Sequence, residues 1–216
     1  MGREGKLPGG SPACDTDAML RLFHAPKSRS FRTLWLLEEL GQPYEIKLVG
    51  IRRSDGTGER DPENPHPHGK VPAILHDGVP VFETTAIALY LTDAFPEAGL
   101  GAAIGTSERG PYVTWLSYYS GVFEPSLTAK FLNIPHVYGM FGLGPFDEVL
   151  EYLNRTLGAQ AYFLGNRFSA VDIVFGGSLP LLMGRGVLPE TATLKDYVAR
   201  ISARPAFARA QAKDSG

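Results

Sequence analysis

Two short segments of this chain carry groups suited to holding a peptide-like ligand. The first, 64–72 (NPHPHGKVP), leads into a run of β-prone residues. A Val-Pro pair at a strand start leaves an open backbone edge if its peptide bond is cis. The N–H and C=O of Val71 could then pair with an extended ligand as an added strand. An ordinary strand start is the alternative interpretation.

The second segment begins a predicted helix eleven residues later, at Glu83, Thr84 and Thr85. The free N–H groups and the positive dipole end of a helix favour a ligand carboxylate, and a threonine hydroxyl adds a donor. The Glu83 carboxylate could meet an ammonium group. Simple helix capping would account for the same residues.

Histidine and cysteine positions bear on metal and redox chemistry. His66, His68 and His76 lack a carboxylate at fixed spacing and a visible supporting partner, so we predict no metal site. Cys14 is the single cysteine, which excludes a disulfide within the chain and a cysteine-based zinc cluster.

An aromatic stripe marks one later helix. Tyr112, Trp115, Tyr119 and Phe123 recur at i, i+3, i+7 and i+11, the spacing of one helix face. Most such faces belong to a core, and this one could also pack at a seam between subunits.

The elements that must position these residues change in type along the chain. The patterns predict strands over 19–24, 44–49, 71–75 and 79–82. They also predict a first helix with Ser28 or Ser30 as its N-cap and a stop at Gly41, and a second helix over 83–95. Later residues predict only helices, near 106–132, 145–164, 169–183, 193–203 and 205–213. Ser169 and Asp172 predict a capping box, a structural feature.

This pattern predicts four regions: a disordered leader over 1–18, an α/β domain over 19–98, a linker over 99–105 and an all-helical domain over 106–216. The 216 residues are 44 % hydrophobic and 20 % charged with a net charge of −2, which excludes a coiled coil or a wholly disordered chain.

Composition also limits the partners. The sequence has no long basic run of the kind that indicates a nucleic-acid surface. No window approaches the about 18 consecutive apolar residues of a membrane span, and the first residues lack the apolar segment of a secretory signal. We therefore predict a small-molecule partner, no nucleic acid, no membrane and a cytoplasmic location.

Four segments together resemble the glutathione transferase superfamily, in particular its bacterial-type cytosolic members. The most specific, 64–84, resembles the family's peptide-binding element, and 24–41 resembles its catalytic turn and first helix. Segment 115–125 is similar to the fourth helix, and 163–172 to the folding motif of the second domain. The likeness covers about residues 19–213 and implies an N-terminal thioredoxin-like domain followed by an all-helical C-terminal domain.

The resemblance implies a serine-type catalytic turn. Counted back from Phe31 and Arg32, Ser28 matches the catalytic serine of the serine-using classes, with Ser30 as the alternative. A thiol of pKa about 8.5 is mostly protonated at neutral pH, and lowering that pKa by ~2 requires about 2.7 kcal/mol of thiolate stabilisation. A hydroxyl donor and a helix N-terminus supply energy of that order. A pure helix-capping role for Ser28 stays open.

The resemblance further implies the other contacts. Ser28 is expected to meet the glutathione thiol, and Lys70 and Val71 its backbone. Glu83 and Thr84 are expected to bind the γ-glutamyl end. The glycyl carboxylate would meet Arg52, Arg53, His66 or His68. Tyr112, Trp115 and Tyr119 are expected to line an apolar pocket for an electrophile.

We therefore predict a homodimeric glutathione transferase, with glutathione as co-substrate, that attacks an apolar electrophile. One alternative keeps the site but reduces peroxides or disulfides, or isomerises its substrate. Another is a non-enzymatic interaction module with this fold. The ligand-facing groups at Lys70, Val71, Glu83 and Thr84 argue against the module, because a scaffold does not need them.

Overall fold

A four-stranded sheet organises the first half of the chain. The computed structural model describes residues 19–135, 138–139 and 142–214, so the predicted leader lies outside it. The strands are β1 (Leu20–His24), β2 (Glu45–Leu48), β3 (Ala73–His76) and β4 (Val79–Phe82), in the order β2-β1-β3-β4. β2 runs parallel to β1, and the other neighbours are antiparallel.

Helix α1 (Ser30–Leu40) is buried almost all round, as its apolar composition requires. It packs on the sheet, on α2 (Thr84–Ala94) and on two helices of the second half. Trp35 is fully buried where α1 packs on the second half, and its ring centroid lies 4.9 Å from that of Phe207. Gly41 ends the helix in the left-handed conformation at φ 69°.

The second half is helical within the described residues. After a short 3₁₀ turn at Pro96–Ala98 it contains α3 (Arg109–Tyr118), α4 (Glu124–Phe131), α5 (Phe146–Ala159), α6 (Ala170–Gly176), α7 (Leu179–Gly184), α8 (Ala192–Ser202) and α9 (Pro205–Asp214). The predicted thioredoxin-like α/β domain followed by a helical domain is confirmed.

Two predicted helices are interrupted. A π-helical turn at Tyr119–Phe123 joins α3 to α4, just before Pro125, which has no N–H to donate. The predicted helix over 169–183 is two helices, α6 and α7. A Cβ on Gly176 would lie 2.2 Å from Ile201, and one on Gly177 would lie 2.6 Å from the Arg32 side chain. Glycine is therefore required where α6 approaches α8 and α1.

The predicted capping box of α6 is present and fully buried. The Asp172 carboxylate accepts hydrogen bonds from the Ser169 N–H at 2.9 Å and hydroxyl at 3.1 Å, from the Phe163 N–H at 3.1 Å and from the Tyr197 hydroxyl at 3.0 Å. One side chain thus joins the start of α6, the preceding loop and α8.

Charged pairs fix α9 to α1. Glu38 is buried and accepts hydrogen bonds from Lys213, Arg209 and Tyr44. Burial alone would raise the pKa of Glu38, but these donors outweigh it and lower the pKa to about 2. The carboxylate is therefore charged at neutral pH and holds the end of α9 beside the first strand and helix.

Candidate active site

Three of the predicted site segments meet at one end of the sheet. The register pairs Phe23, near the end of β1, with Ala73 at the start of β3, and Ala73 with Phe82 at the end of β4. The turn after β1, the residues before β3 and the start of α2 therefore lie at the same edge. The structure brings Ser28, Val71 and Thr84 to this end.

Ser28 lies in the turn just before the N-terminus of α1. It is half-buried, and its hydroxyl donates to the Ala25 carbonyl oxygen at 2.6 Å. The Ser28 hydroxyl oxygen also accepts from the Ser30 N–H at 3.2 Å, so a capping-like contact is present as well. The hydroxyl sits at the positive end of the helix dipole.

Ser30, the alternative to Ser28, is fully buried. Its oxygen lies 2.7 Å from His24 Nδ1 and 2.8 Å from the Ser28 hydroxyl, and it accepts from the Ala25 N–H at 3.2 Å. Of the two serines, Ser28 is the one with solvent exposure.

The segment before β3 is shaped by its own side chains. The Val71–Pro72 bond is cis, and Val71 lies outside the strand ladder, which begins at Ala73. The Asn64 amide donates to the Lys70 carbonyl at 2.9 Å, while the Lys70 side chain is exposed. A buried His66 accepts from the His68 N–H at 3.1 Å through Nδ1.

Glu83 and Thr84 follow β4, at the same end of the sheet. Glu83 has a φ of 71°, in the left-handed region that non-glycine residues rarely occupy. Its side chain is 70 % exposed and lies 3.7 Å from His66 Nε2. Thr84 is the first residue of α2, so its N–H belongs to the unpaired helix start.

The candidates for a glycyl carboxylate occupy different places. Arg53 reaches back to the turn after β1 and donates to the Pro26 carbonyl at 3.1 Å. Burial lowers the pKa of His66, and Glu83 offsets part of this effect. His66 is thus built into the loop beneath Glu83, and Arg53 is the cation next to the turn.

The aromatic residues predicted to line an electrophile pocket are core residues. Tyr112, Trp115 and Tyr119 are 0 %, 7 % and 1 % exposed. Trp115 stacks on Tyr152 at 5.2 Å and packs on Phe163 at 4.7 Å. Their helix face is turned inward toward α6, and none of the three lines the cleft described next.

A cleft of about 550 Å³ opens beside the turn that precedes α1, between α4 and the start of α5. Its lining is largely apolar and includes Pro125, Ala129, Ile134, Pro145 and Phe146. Arg29, the neighbour of Ser28, contributes to the wall. This volume lies within the range of small-molecule sites.

Two arginines share one carboxylate at this wall. Glu124 lies 3.1 Å from Arg29 Nε and 3.3 Å from Arg32 Nη1, and it accepts from the Tyr119 hydroxyl at 2.7 Å. Burial alone would raise the pKa of Glu124, but Arg32 and Arg29 outweigh it and hold the pKa below its usual value. The cluster therefore carries one net positive charge. The sequence signal for it is Glu124-Pro125, which belongs to the fourth-helix resemblance.

Residues 19–135, 138–139 and 142–214 show neither a clustered metal site nor a membrane-spanning helix. This part of the chain contains no group of three or more histidine, cysteine, aspartate or glutamate side chains placed to hold a metal ion. None of its helices combines the length and hydropathy needed to cross a membrane.

Comparison with known proteins agrees with this architecture. The family "Glutathione S-transferase, N-terminal domain" matches residues 18–93. Glutathione S-transferase 3 of Schizosaccharomyces pombe is 27 % identical over 71 % of this chain and 70 % of its own length. Glutathione S-transferase GstA of Escherichia coli O157:H7 is 27 % identical over 71 % of this chain and 77 % of its own.

Solved structures extend the match to the helical half. A glutathione transferase from Methylococcus capsulatus has a TM-score of 0.74 at 25 % identity and covers 91 % of this chain and 98 % of its own. A sphingomonad glutathione S-transferase complexed with glutathione has a TM-score of 0.73 at 26 % identity, covering 90 % and 98 %.

The fold thus defines a protein with a thioredoxin-like N-terminal domain and a helical second half, with three of the predicted site segments at one edge of its sheet. Residues 18–93 match the glutathione S-transferase N-terminal domain, and the named relatives and solved structures are similar over most of the chain, so the predicted enzyme class, a glutathione transferase, is confirmed.

Proposed function

We propose that this protein activates the thiol of glutathione beside Ser28 and transfers the tripeptide to an apolar electrophile held in the cleft between α4 and α5. The observation that carries the proposal is the convergence of Ser28, Val71 and Thr84 at one end of the sheet. An extended tripeptide laid across this edge meets a hydroxyl, a free backbone edge and a helix N-terminus in turn.

Each end of glutathione has a complementary group. The N–H and C=O of Val71 pair with its backbone, and the Lys70 side chain lies alongside. At the γ-glutamyl end, the start of α2 and the Thr84 hydroxyl bind the carboxylate, while the exposed Glu83 carboxylate pairs with the ammonium. The thiol then lies at the start of α1, where the dipole and the Ser28 hydroxyl favour the thiolate.

Calorimetry tests glutathione binding. The parent protein is expected to bind glutathione, and the Glu83→Ala/Thr84→Ala double variant to bind about 30-fold more weakly, because two contacts to charged groups, at about 1 kcal/mol each, are lost. Thr85→Ala, one position further along the same helix start, is the matched control and is expected to keep the parent affinity. A folded parent protein that does not bind glutathione would favour the non-enzymatic module instead.

The cleft is the electrophile site in this proposal. It is apolar, and Arg29 joins it to the catalytic turn. The net positive charge of the Arg29, Arg32 and Glu124 cluster favours electrophiles that carry, or develop on attack, a negatively charged oxygen group. The thiolate attacks the electrophilic carbon. In a substitution the leaving group departs with its electron pair; in an addition the π electron pair moves to the neighbouring carbon, which is then protonated.

A substitution that fills the cleft tests whether the cleft holds the electrophile and leaves the aromatic stripe a core or dimer role. Ala129→Trp is expected to raise the KM for a chlorodinitrobenzene about tenfold or more while the Kd for glutathione stays unchanged, because the added ring occupies the second-substrate volume only. Phe131→Trp, on the exposed side of the same helix, is the control. An unchanged KM in Ala129→Trp would contradict the assignment.

The same assay distinguishes the outcomes open to the site. Turnover of a hydroperoxide or a mixed disulfide without turnover of the chlorodinitrobenzene would point to glutathione-dependent reduction.

The proposal also includes a homodimer and a cytoplasmic location, both of which come from the superfamily resemblance.

A further inference from the structure

A chain of polar side chains runs inward from Ser28 to the end of α9. The Ser28 hydroxyl lies 2.8 Å from that of Ser30, and Ser30 lies 2.7 Å from His24 Nδ1. On the other side of the ring, His24 Nε2 lies 3.2 Å from a carboxylate oxygen of Asp214, at ion-pair distance but outside the angular limits of a good hydrogen bond. His24 and Asp214 are 190 positions apart in the sequence.

The environment of His24 defines its protonation. The ring is fully buried. Burial lowers the pKa of His24, and Asp214 offsets part of this effect. Asp214 is the charged group facing the ring from α9. From the other packed elements the ring meets the Ser30 hydroxyl of α1, and its partner position on β2 is the apolar Leu48.

The direction of each hydrogen bond follows from this arrangement. A neutral ring beside the Asp214 carboxylate keeps its proton on Nε2, so Nδ1 accepts the Ser30 hydroxyl proton. The Ser28 hydroxyl has two acceptors within reach, the Ala25 carbonyl oxygen at 2.6 Å and the Ser30 oxygen at 2.8 Å. When it turns from Ala25 to Ser30, the Ser28 oxygen is an acceptor for an incoming thiol and every donor in the chain points toward His24.

We propose that Ser28, Ser30 and His24 form a proton relay for the thiol of bound glutathione, with Asp214 as the residue that stabilises the protonated end. The inference rests on the proposed function. The S–H bond breaks as its proton passes to Ser28, the Ser28 proton passes to Ser30, and the Ser30 proton passes to Nδ1. The sulfur keeps its electron pair. The products are a thiolate hydrogen-bonded by Ser28 and an imidazolium paired with Asp214, which later releases its proton to the leaving group or to solvent.

Asp214 has a second role that the test must separate from the first. Both of its carboxylate oxygens accept from the Lys27 N–H at 3.2 Å, and Lys27 holds a left-handed φ of 56° in the catalytic turn. Asp214 therefore also shapes the turn. Asp214→Asn retains an acceptor for Lys27 but removes the charge that stabilises the imidazolium.

The end of α9 has anchors that do not involve the relay. Lys213 and Arg209 bind Glu38, and Arg204 binds Glu39, on α1. These contacts keep α9 in place when Asp214 is replaced. Lys213→Ala, one position away, loosens the same helix end without touching His24 and is the matched control.

The experiment titrates the ultraviolet absorbance of the glutathione thiolate bound to the full chain against pH. Asp214→Ala and Asp214→Asn are both expected to raise the pKa of the bound thiol by about one pH unit, so that about tenfold less thiolate and a similarly lower kcat are present near pH 6.5, with the Kd for glutathione unchanged. Lys213→Ala is expected to leave the thiol pKa where it is in the parent protein.

Three results would overturn the relay. If Asp214→Ala leaves the thiol pKa unchanged, Asp214 does not act on the thiol. If Asp214→Asn restores the parent value, its role is the shape of the turn. If Lys213→Ala shifts the pKa equally, the effect is helix packing. A parent protein that binds no glutathione thiolate would instead remove the proposed function itself.

Discussion

Replacing Ser28 by alanine is expected to raise the pKa of the bound glutathione thiol by about one to two pH units and to lower kcat/KM near pH 6.5 by about 10-fold to 100-fold. A hydrogen bond to a charged group contributes about 1.5 to 3 kcal/mol, and one pKa unit corresponds to about 1.4 kcal/mol. The start of α1 remains, so some thiolate stabilisation remains. The measurement is the pH titration of thiolate absorbance, with kcat/KM followed over the same range.

Two variants show whether the hydroxyl or the turn is responsible. Ser28→Thr keeps a hydroxyl and is expected to recover most of the lowered thiol pKa. Ser28→Ala also removes the acceptor for the Ser30 N–H, a loss that thermal unfolding reports separately. If the thiol pKa in Ser28→Ala equals that of the parent protein while stability falls, Ser28 is only a capping residue.

Local chemistry made much of the site predictable. The Asp77-Gly78 turn defines the β3–β4 hairpin, and the hairpin places Val71 and Thr84 at the same end of the sheet. The predicted N-cap of the first helix, Ser28 or Ser30, lies one position from the observed N-cap, Arg29. Each of these features depends on residues that are close in sequence.

The relay could not be predicted in this way. Its inner members are joined by the contact between β1 and α9, and the sequence indicates His24 only as the last residue of a strand. What brings Asp214 to it is the packing of α9 on α1 through Glu38 and Glu39. A pairing between residues 190 positions apart has no signal in local propensity or periodicity.

The aromatic stripe shows a second limit of prediction from sequence, because spacing does not give the direction in which a helix face points. Its spacing predicts one helix face, and Tyr112, Trp115 and Tyr119 are indeed buried together in the helical half. The direction of that face depends on α6, whose glycines let it come close to α1 and α8. The cleft that we assign to the electrophile is lined instead by residues of α4, of the segment after it and of the start of α5.

The stability of the helical half is expected to depend strongly on Asp172. Burial raises the pKa of this residue to about 6 even though four hydrogen bonds to its carboxylate oppose the rise, so above neutral pH it is a buried charge held by its donors. Asp172→Ala leaves the donors of Ser169, Phe163 and Tyr197 buried without their acceptor. We expect the free energy of unfolding at about pH 7.5 to fall by about 3 to 5 kcal/mol, a large share of a typical total of about 5 to 15 kcal/mol.

Urea unfolding measures this loss, and Asp196→Ala, on the exposed side of α8, is the matched control with an expected change within about 0.5 kcal/mol. The hydrogen bonds of Asp172 do not include the turn that holds Ser28, but α6 packs against α1. Unfolding of α6 therefore exposes the back of α1, the helix that begins beside the proposed thiol site. The activity lost in Asp172→Ala should therefore follow the folded fraction, while kcat per folded molecule and the thiol pKa stay at the parent values. A changed thiol pKa in the folded fraction would show that the capping box acts on the site through α1, and that its role is more than structural.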